Sequence, residues 1–137
     1  MLNRAGTVQI VSHSEHGPLK CVRLQCKTNS SGDAIEHFPE GLVNGELRKL
    51  VVNHKASGVS DTISVYLYDQ WDNSLLAGEA ATGMSANATT KKLLYEEIGS
   101  VQARGLFVGG YQQIHVDLSG STATMVTLEF WYLPRGE

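Results

Sequence analysis

The chain has 137 residues, of which 42% are hydrophobic and 18% charged. That is enough apolar material for one packed domain and excludes an intrinsically disordered chain. Fourteen Gly with three Pro exclude collagen and proline-rich linkers and imply many turns. Eleven Lys and Arg against fourteen Asp and Glu leave a formal charge of −3, so no strong basic field gathers phosphates, and nucleic acid is not expected as a partner.

From the N-terminus, Met1-Leu2-Asn3-Arg4-Ala5-Gly6 lacks the apolar stretch of a secretory signal. No run approaches the ~18 apolar residues of a membrane span, so no membrane partner is expected. Val8, Ile10 and Ser12 alternate with Thr7, Gln9 and Val11, and residues 1–18 read as a possible N-terminal arm on a single domain spanning 1–137. Val22, Leu24 and Cys26 alternate with Cys21, Arg23, Gln25 and Lys27, which predicts a half-buried strand at about 19–28. Cys21 and Cys26 are five apart, an odd spacing that sends them to opposite faces and argues for two free thiols. Asn29-Ser30-Ser31-Gly32-Asp33 is a turn cluster. Like Asn87-Ala88-Thr89 it fits the glycosylation acceptor pattern, but without a secretory route both read as polar loops.

Glu46 to His54 is apolar around Leu47, Leu50, Val51 and Val52. Ile63, Val65 and Leu67 alternate with Thr62, Ser64, Tyr66 and Tyr68; Asp69 to Asn73 then reads as a turn and Leu75-Leu76-Ala77 as the returning strand. A hairpin is therefore expected over about 61–78. Residues 79–92 have little to bury and read as a long loop, and Lys91 to Ile98 reads as a short edge strand. Leu106 and Val108 end at Gly109-Gly110, and Ile114, Val116 and Leu118 alternate with Gln113, His115 and Asp117. In the last run, Thr124, Val126, Leu128, Phe130 and Tyr132 oppose Ala123, Met125, Thr127, Glu129, Trp131 and Leu133. Both faces become apolar toward its end, so this strand is expected to be central or to meet a partner with its outer face. Seven or eight short strands between Gly/Ser/Asn turns, with no strong helix, predict an all-β antiparallel sandwich or jelly-roll-like barrel with long loops.

Five histidines raise the question of a metal. His13 and His16 lie in a turn-like polar segment, His37, His54 and His115 are scattered, and Cys-x4-Cys is not zinc spacing. The reading is of solvated loop histidines, led by the His13/His16 pair, and no metal or other cofactor is expected. Asp69, Asp72 and Asn73 lack the alternating oxygens and closing Glu of a calcium loop. Glu96 and Glu97 are adjacent and diverge on a strand, so they do not flank a glycosidic bond together. His115 and Asp117 share a strand face, but no nucleophile elbow accompanies them, and they read as a surface pair. There is no phosphate-binding loop. No catalytic residue is assigned, and an enzyme is not expected.

The aromatic residues point instead to contact. Trp71 sits at a hairpin tip, where its own strands cannot bury an indole; Trp and Tyr bring area and a polar handle to interfaces at little entropic cost. Phe130 and Tyr132 read as core residues.

The order of several pieces resembles small virion structural proteins of tailed bacteriophages, of the capsid decoration (cement) kind. The resembling residues are Arg4-Ala5-Gly6-Thr7, Gly45-Glu46-Leu47-Arg48-Lys49-Leu50-Val51-Val52 and Asp61-Thr62-Ile63-Ser64-Val65-Tyr66-Leu67-Tyr68-Asp69. Ser74-Leu75-Leu76-Ala77-Gly78 with the Gly- and Asn-rich stretch through Asn87, and Thr127-Leu128-Glu129-Phe130-Trp131-Tyr132-Leu133, continue the likeness. The chain departs from that pattern in its His- and Cys-bearing 13–37 segment and in Trp71. The resemblance implies a protein made in the host cytoplasm that binds and stabilises the mature capsid lattice at the virion surface. It would contact the major capsid protein and its own copies, a trimer being favoured. Candidate interface residues are Trp71, the outer-face Met125, Trp131 and Leu133, and, on an N-terminal segment able to add a strand to a neighbour, Val8 and Ile10. A carbohydrate-binding sandwich using Trp71 beside Asp69 and Asn73, and a head–tail joining or tail protein, are the alternative readings.

Overall fold

The computed structural model describes residues 3–53, 62–76, 81–85, 89–93, 106–119 and 124–134. Ten strands follow in chain order: β1 (Thr7–His16), β2 (Leu19–Lys27), β3 (Asp33–Phe38), β4 (Gly45–Asn53), β5 (Thr62–Tyr68), β6 (Ala81–Ser85), β7 (Thr89–Leu93), β8 (Leu106–Val108), β9 (Gln112–Leu118) and β10 (Met125–Pro134). They form two antiparallel sheets. One runs β1-β2-β10-β4-β7, with β8 also pairing β4; the other runs β3-β9-β5-β6. From β2 onward the chain repeatedly changes sheet, so β2, β10, β4 and β7 face β3, β9, β5 and β6. That is a jelly-roll order, and the fold is an all-β sandwich.

Alternation builds the core. Val22, Leu24 and Cys26 on β2, Leu47, Leu50 and Val52 on β4, and Val126, Leu128, Phe130 and Tyr132 on β10 meet the other sheet's inward residues. Those are Ala34, Ile63, Val65, Leu67, Ile114, Val116 and Leu118. Strict period two cannot place both Leu47 and Leu50, three apart, on one face. The register shift opposite Trp131/Tyr132 makes Arg48 the extra residue, and both leucines then point inward, fully buried. A second bulge lies between Ile10 and Ser12 of β1. It leaves Val8 and Ile10 opposite the buried Cys26 and Leu24, but sets Ser12 opposite Arg23, off the face that simple alternation assigns to it.

Other expectations need correction. The 61–78 hairpin closes only as a turn. Tyr68 and Ser74 form an isolated bridge and Leu75 N donates to the Leu67 carbonyl, yet Leu75-Leu76 is not a strand. The strand beside β5 comes later, as β6, within the stretch read as a long loop; β7 occupies that stretch too. Thr and Ser suit strands as well as loops, so a segment with little apolar content gives no period to read. Of the expected edge strand at 91–98, Lys91 to Leu93 belong to β7, while Glu96, Glu97 and Ile98 lie outside the described residues, as do Asn87, Ala88 and His54. Residues 7–16 of the proposed arm pair along β2 through the Gly17-Pro18 turn. β10 is central, between β2 and β4.

Candidate functional site

Two surfaces carry the chemistry, both on the β3-β9-β5 sheet. The first is the 69–73 turn. Asp69 Oδ1 accepts from the backbone N–H groups of Trp71 (2.8 Å) and Asn73 (3.0 Å), and Asp69 Oδ2 accepts from Asn73 Nδ2 (3.3 Å). These bonds, that of the Asn73 N–H first, hold the Asp69 carboxyl below the usual range. Asp72 takes the left-handed region at φ 61°, which Asp tolerates in a turn. From β9, buried Gln113 donates through Nε2 to the Asp69 carbonyl (2.6 Å) and Asp72 Oδ1 (3.0 Å), tying the turn to the sheet. The tip of this fixed turn is Trp71, 75% exposed.

The second surface is the outer face of the same sheet. The registers line up three rows across β3, β9 and β5: Asp33–Asp117–Ser64, Ile35–His115–Tyr66 and His37–Gln113–Tyr68. Tyr66 and Tyr68 stack with ring centroids 5.5 Å apart, and Tyr66 also lies 5.5 Å from the His115 ring. Burial first, then the neighbouring Tyr66, Asp72 and Asp117, push the Tyr68 phenol above its ordinary value. His37 Nδ1 is hydrogen-bonded to the Tyr111 hydroxyl. His115 Nε2 lies 3.0 Å from Asp33 Oδ1, and one ligand atom each from Asp33, His115 and Asp117 lies within 4.8 Å of the others.

The loop half of the reading of solvated loop histidines is corrected, while His13 and His16 are exposed as expected. His13 and His16 are on β1, His37 on β3 and His115 on β9. His16 lies against Trp131, centroids 4.5 Å apart, and His115 has only 16% of its side chain exposed. The pairing of His115 with Asp117 on one face was legible; Asp33, which completes the cluster, was not. It is 84 residues from Asp117 in sequence, inside what reads as a turn, and only the β3–β9 register brings the two together.

The candidate interface residues do not form one surface. Met125 (51% exposed), Trp131 and Leu133 share the outer side of β10. Trp131 is half-buried, its Nε1 donating to Glu129 (3.0 Å) and Lys49 Nζ lying 4.5 Å from its ring centroid. Val8 packs against the core, and Ile10 is 40% exposed on the opposite side of that sheet. Trp71 is on the other sheet. Cys21 and Cys26 are free and buried, on opposite faces of β2 as their spacing requires. Burial pushes the Cys26 thiol up to about 12. Compared with protein-family models and with curated proteins, the chain matches neither.

Proposed function

We propose that the protein is an adhesive structural component of a virion, a decoration protein that binds the mature capsid lattice, and that it is not a catalyst. The observation that carries this reading is Trp71: a large aromatic side chain, 75% exposed, on a turn held in place by Asp69 and Gln113. Exposing an indole to water is unfavourable, and fixing the backbone that carries it removes part of the ordering cost a partner would otherwise meet. Buried aromatic anchors of this kind dominate interface energies. The order of sequence pieces resembling the decoration family supports the choice of partner. A ligand that binds only the mature lattice stabilises it by mass action, about 2.7 kcal/mol per site at one hundred times the dissociation constant. Copies gathered about a local symmetry axis, as a trimer, add effective concentration.

The test is co-sedimentation of the purified chain with mature and precursor shells assembled from the major capsid protein of the same virus. The expected result is binding to mature and not precursor shells, weakened at least tenfold by Trp71→Ala at unchanged melting temperature. Failure to bind mature shells, or full-strength binding by the variant, overturns the assignment. A carbohydrate-binding reading uses the same indole, but both carboxylate oxygens of Asp69 and the amide nitrogen of Asn73 already bond within the turn. A head–tail or tail position would differ in where copies close into a ring.

A further inference from the structure

We infer that Asp33, His115 and Asp117 form a binding site for one divalent transition-metal ion of the zinc class, clamping the edge strand β3 to β9. Leu118 N donates to the Gly32 carbonyl (2.8 Å), so Asp33 and Asp117 oppose each other as a non-hydrogen-bonded pair, the closer of the two antiparallel spacings. Like charges directly opposite one another destabilise a sheet. Both carboxylates are half-buried, and the ion pairs of Arg4, Lys20, Arg23 and Arg48 lie with other carboxylates among the described residues. His115, two residues from Asp117 on the same face, completes the set from the diagonal position.

The chemistry selects the ion. One imidazole nitrogen and two carboxylate oxygens make a mixed set: imidazole favours zinc-class ions over calcium and magnesium, and two carboxylates balance a dication. Ligand atoms around such an ion stand ~3 Å apart; His115 and Asp33 are already at 3.0 Å, and the Asp117 oxygen, within 4.8 Å of both, has less than ~2 Å to close. Tyr66, 5.5 Å from the His115 ring and inclined by 35°, supports the imidazole's orientation from β5, the role outer neighbours play at metal sites. Three protein ligands leave a coordination position open to water or to a partner's side chain.

The experiment is calorimetric titration of the chelator-treated full chain with ZnCl2, alongside thermal melts and hydrogen exchange. The expected result is one site and a melting midpoint raised by about 8 °C at one hundred times the dissociation constant, with slower exchange in β3. Asp117→Asn and Asp33→Asn, each near-isosteric, should weaken binding at least tenfold, and His115→Gln should abolish it; His13→Gln should change nothing. Absence of heat and of a melting shift overturns the inference. So does binding that survives Asp117→Asn and His115→Gln but is lost in His13→Gln, or an equal response to Ca2+ in His115→Gln. Capsid binding is read separately, so failure here leaves the adhesive reading standing.

Discussion

The two outer faces of the sandwich solve the same problem in opposite ways. On the β1-β2-β10-β4 sheet, charges are set against opposite charges. Arg23 reaches Glu129 through Nε (3.0 Å) and its terminal nitrogen (2.6 Å), Trp131 donates to the same carboxylate, and Lys49 lies over the indole. On the β3-β9-β5 sheet, Asp33 faces Asp117 with one imidazole beside them. On the first face the Glu129 carboxylate is satisfied from within, so the neighbouring aromatic residue is half-buried and held. The second keeps an arrangement that a cation would relieve, and at its end the turn presents an indole to solvent. Self-completion on one side and incompletion on the other separate a face that stabilises the fold from one suited to recognition.

The strongest way to break the comparison is to remove what both faces share. Phe130, fully buried between the sheets, should cost about 3–5 kcal/mol on replacement by Ala. Urea unfolding followed by circular dichroism and by tryptophan fluorescence should lose both faces in one transition; separate transitions would show independent sheets. Next is Gly45→Ala, at φ 152°, where an added Cβ would stand 2.1 Å from the Leu133 carbonyl oxygen. Backbone strain and overpacking should cost about 3 kcal/mol, read as a lowered urea midpoint, by prising β4 from the end of β10.

A sharper contrast comes from matched charge removals, measured by denaturant in EDTA. Glu129→Ala should lose about 1 kcal/mol, because Arg23 and the Trp131 N–H lose their acceptor. Asp117→Asn should gain about 0.5 kcal/mol, because a like-charge pair is dissolved. Equal signs would erase the distinction between the faces.

The smallest effect is on pH. Desolvation alone would raise the Glu129 carboxyl, but hydrogen bonds from Trp131 and Arg23 and the charges of Arg23 and Lys49 outweigh it and hold the group below its ordinary 4.5. A carboxyl depressed on folding contributes stability above its unfolded pKa and loses it as pH falls through the folded value. Melting temperature should therefore decline below about pH 4.5, and less steeply in Glu129→Gln. An unchanged slope would remove Glu129 from the account.

Most of the strands were readable because burial imposes period two: β5 and β10 alternate cleanly, while in β2 and β9 a buried residue on the outer face, Cys21 and Gln113, interrupts the pattern. β3 and β6 escaped, and β7 was anticipated only from Lys91 onward, because none of the three shows a clear hydrophobic period. The exposure of Trp71 was legible from its place in a turn. What holds it there was less so, since Gln113 reaches the turn from a strand more than forty residues away.

Local composition and alternation were sufficient for the all-β class, the inward residues, the opposite orientations of Cys21 and Cys26 and the exposed indole. The first three follow from side chains leaving a strand on alternate sides, and the last from a turn too short to cover an indole. Tertiary structure alone decided which strands lie side by side, where Arg48 bulges out and that Asp33 meets His115 and Asp117. Cross-strand register joins residues with no sequence proximity, and it is chosen by the packing of the whole core rather than by any segment of it.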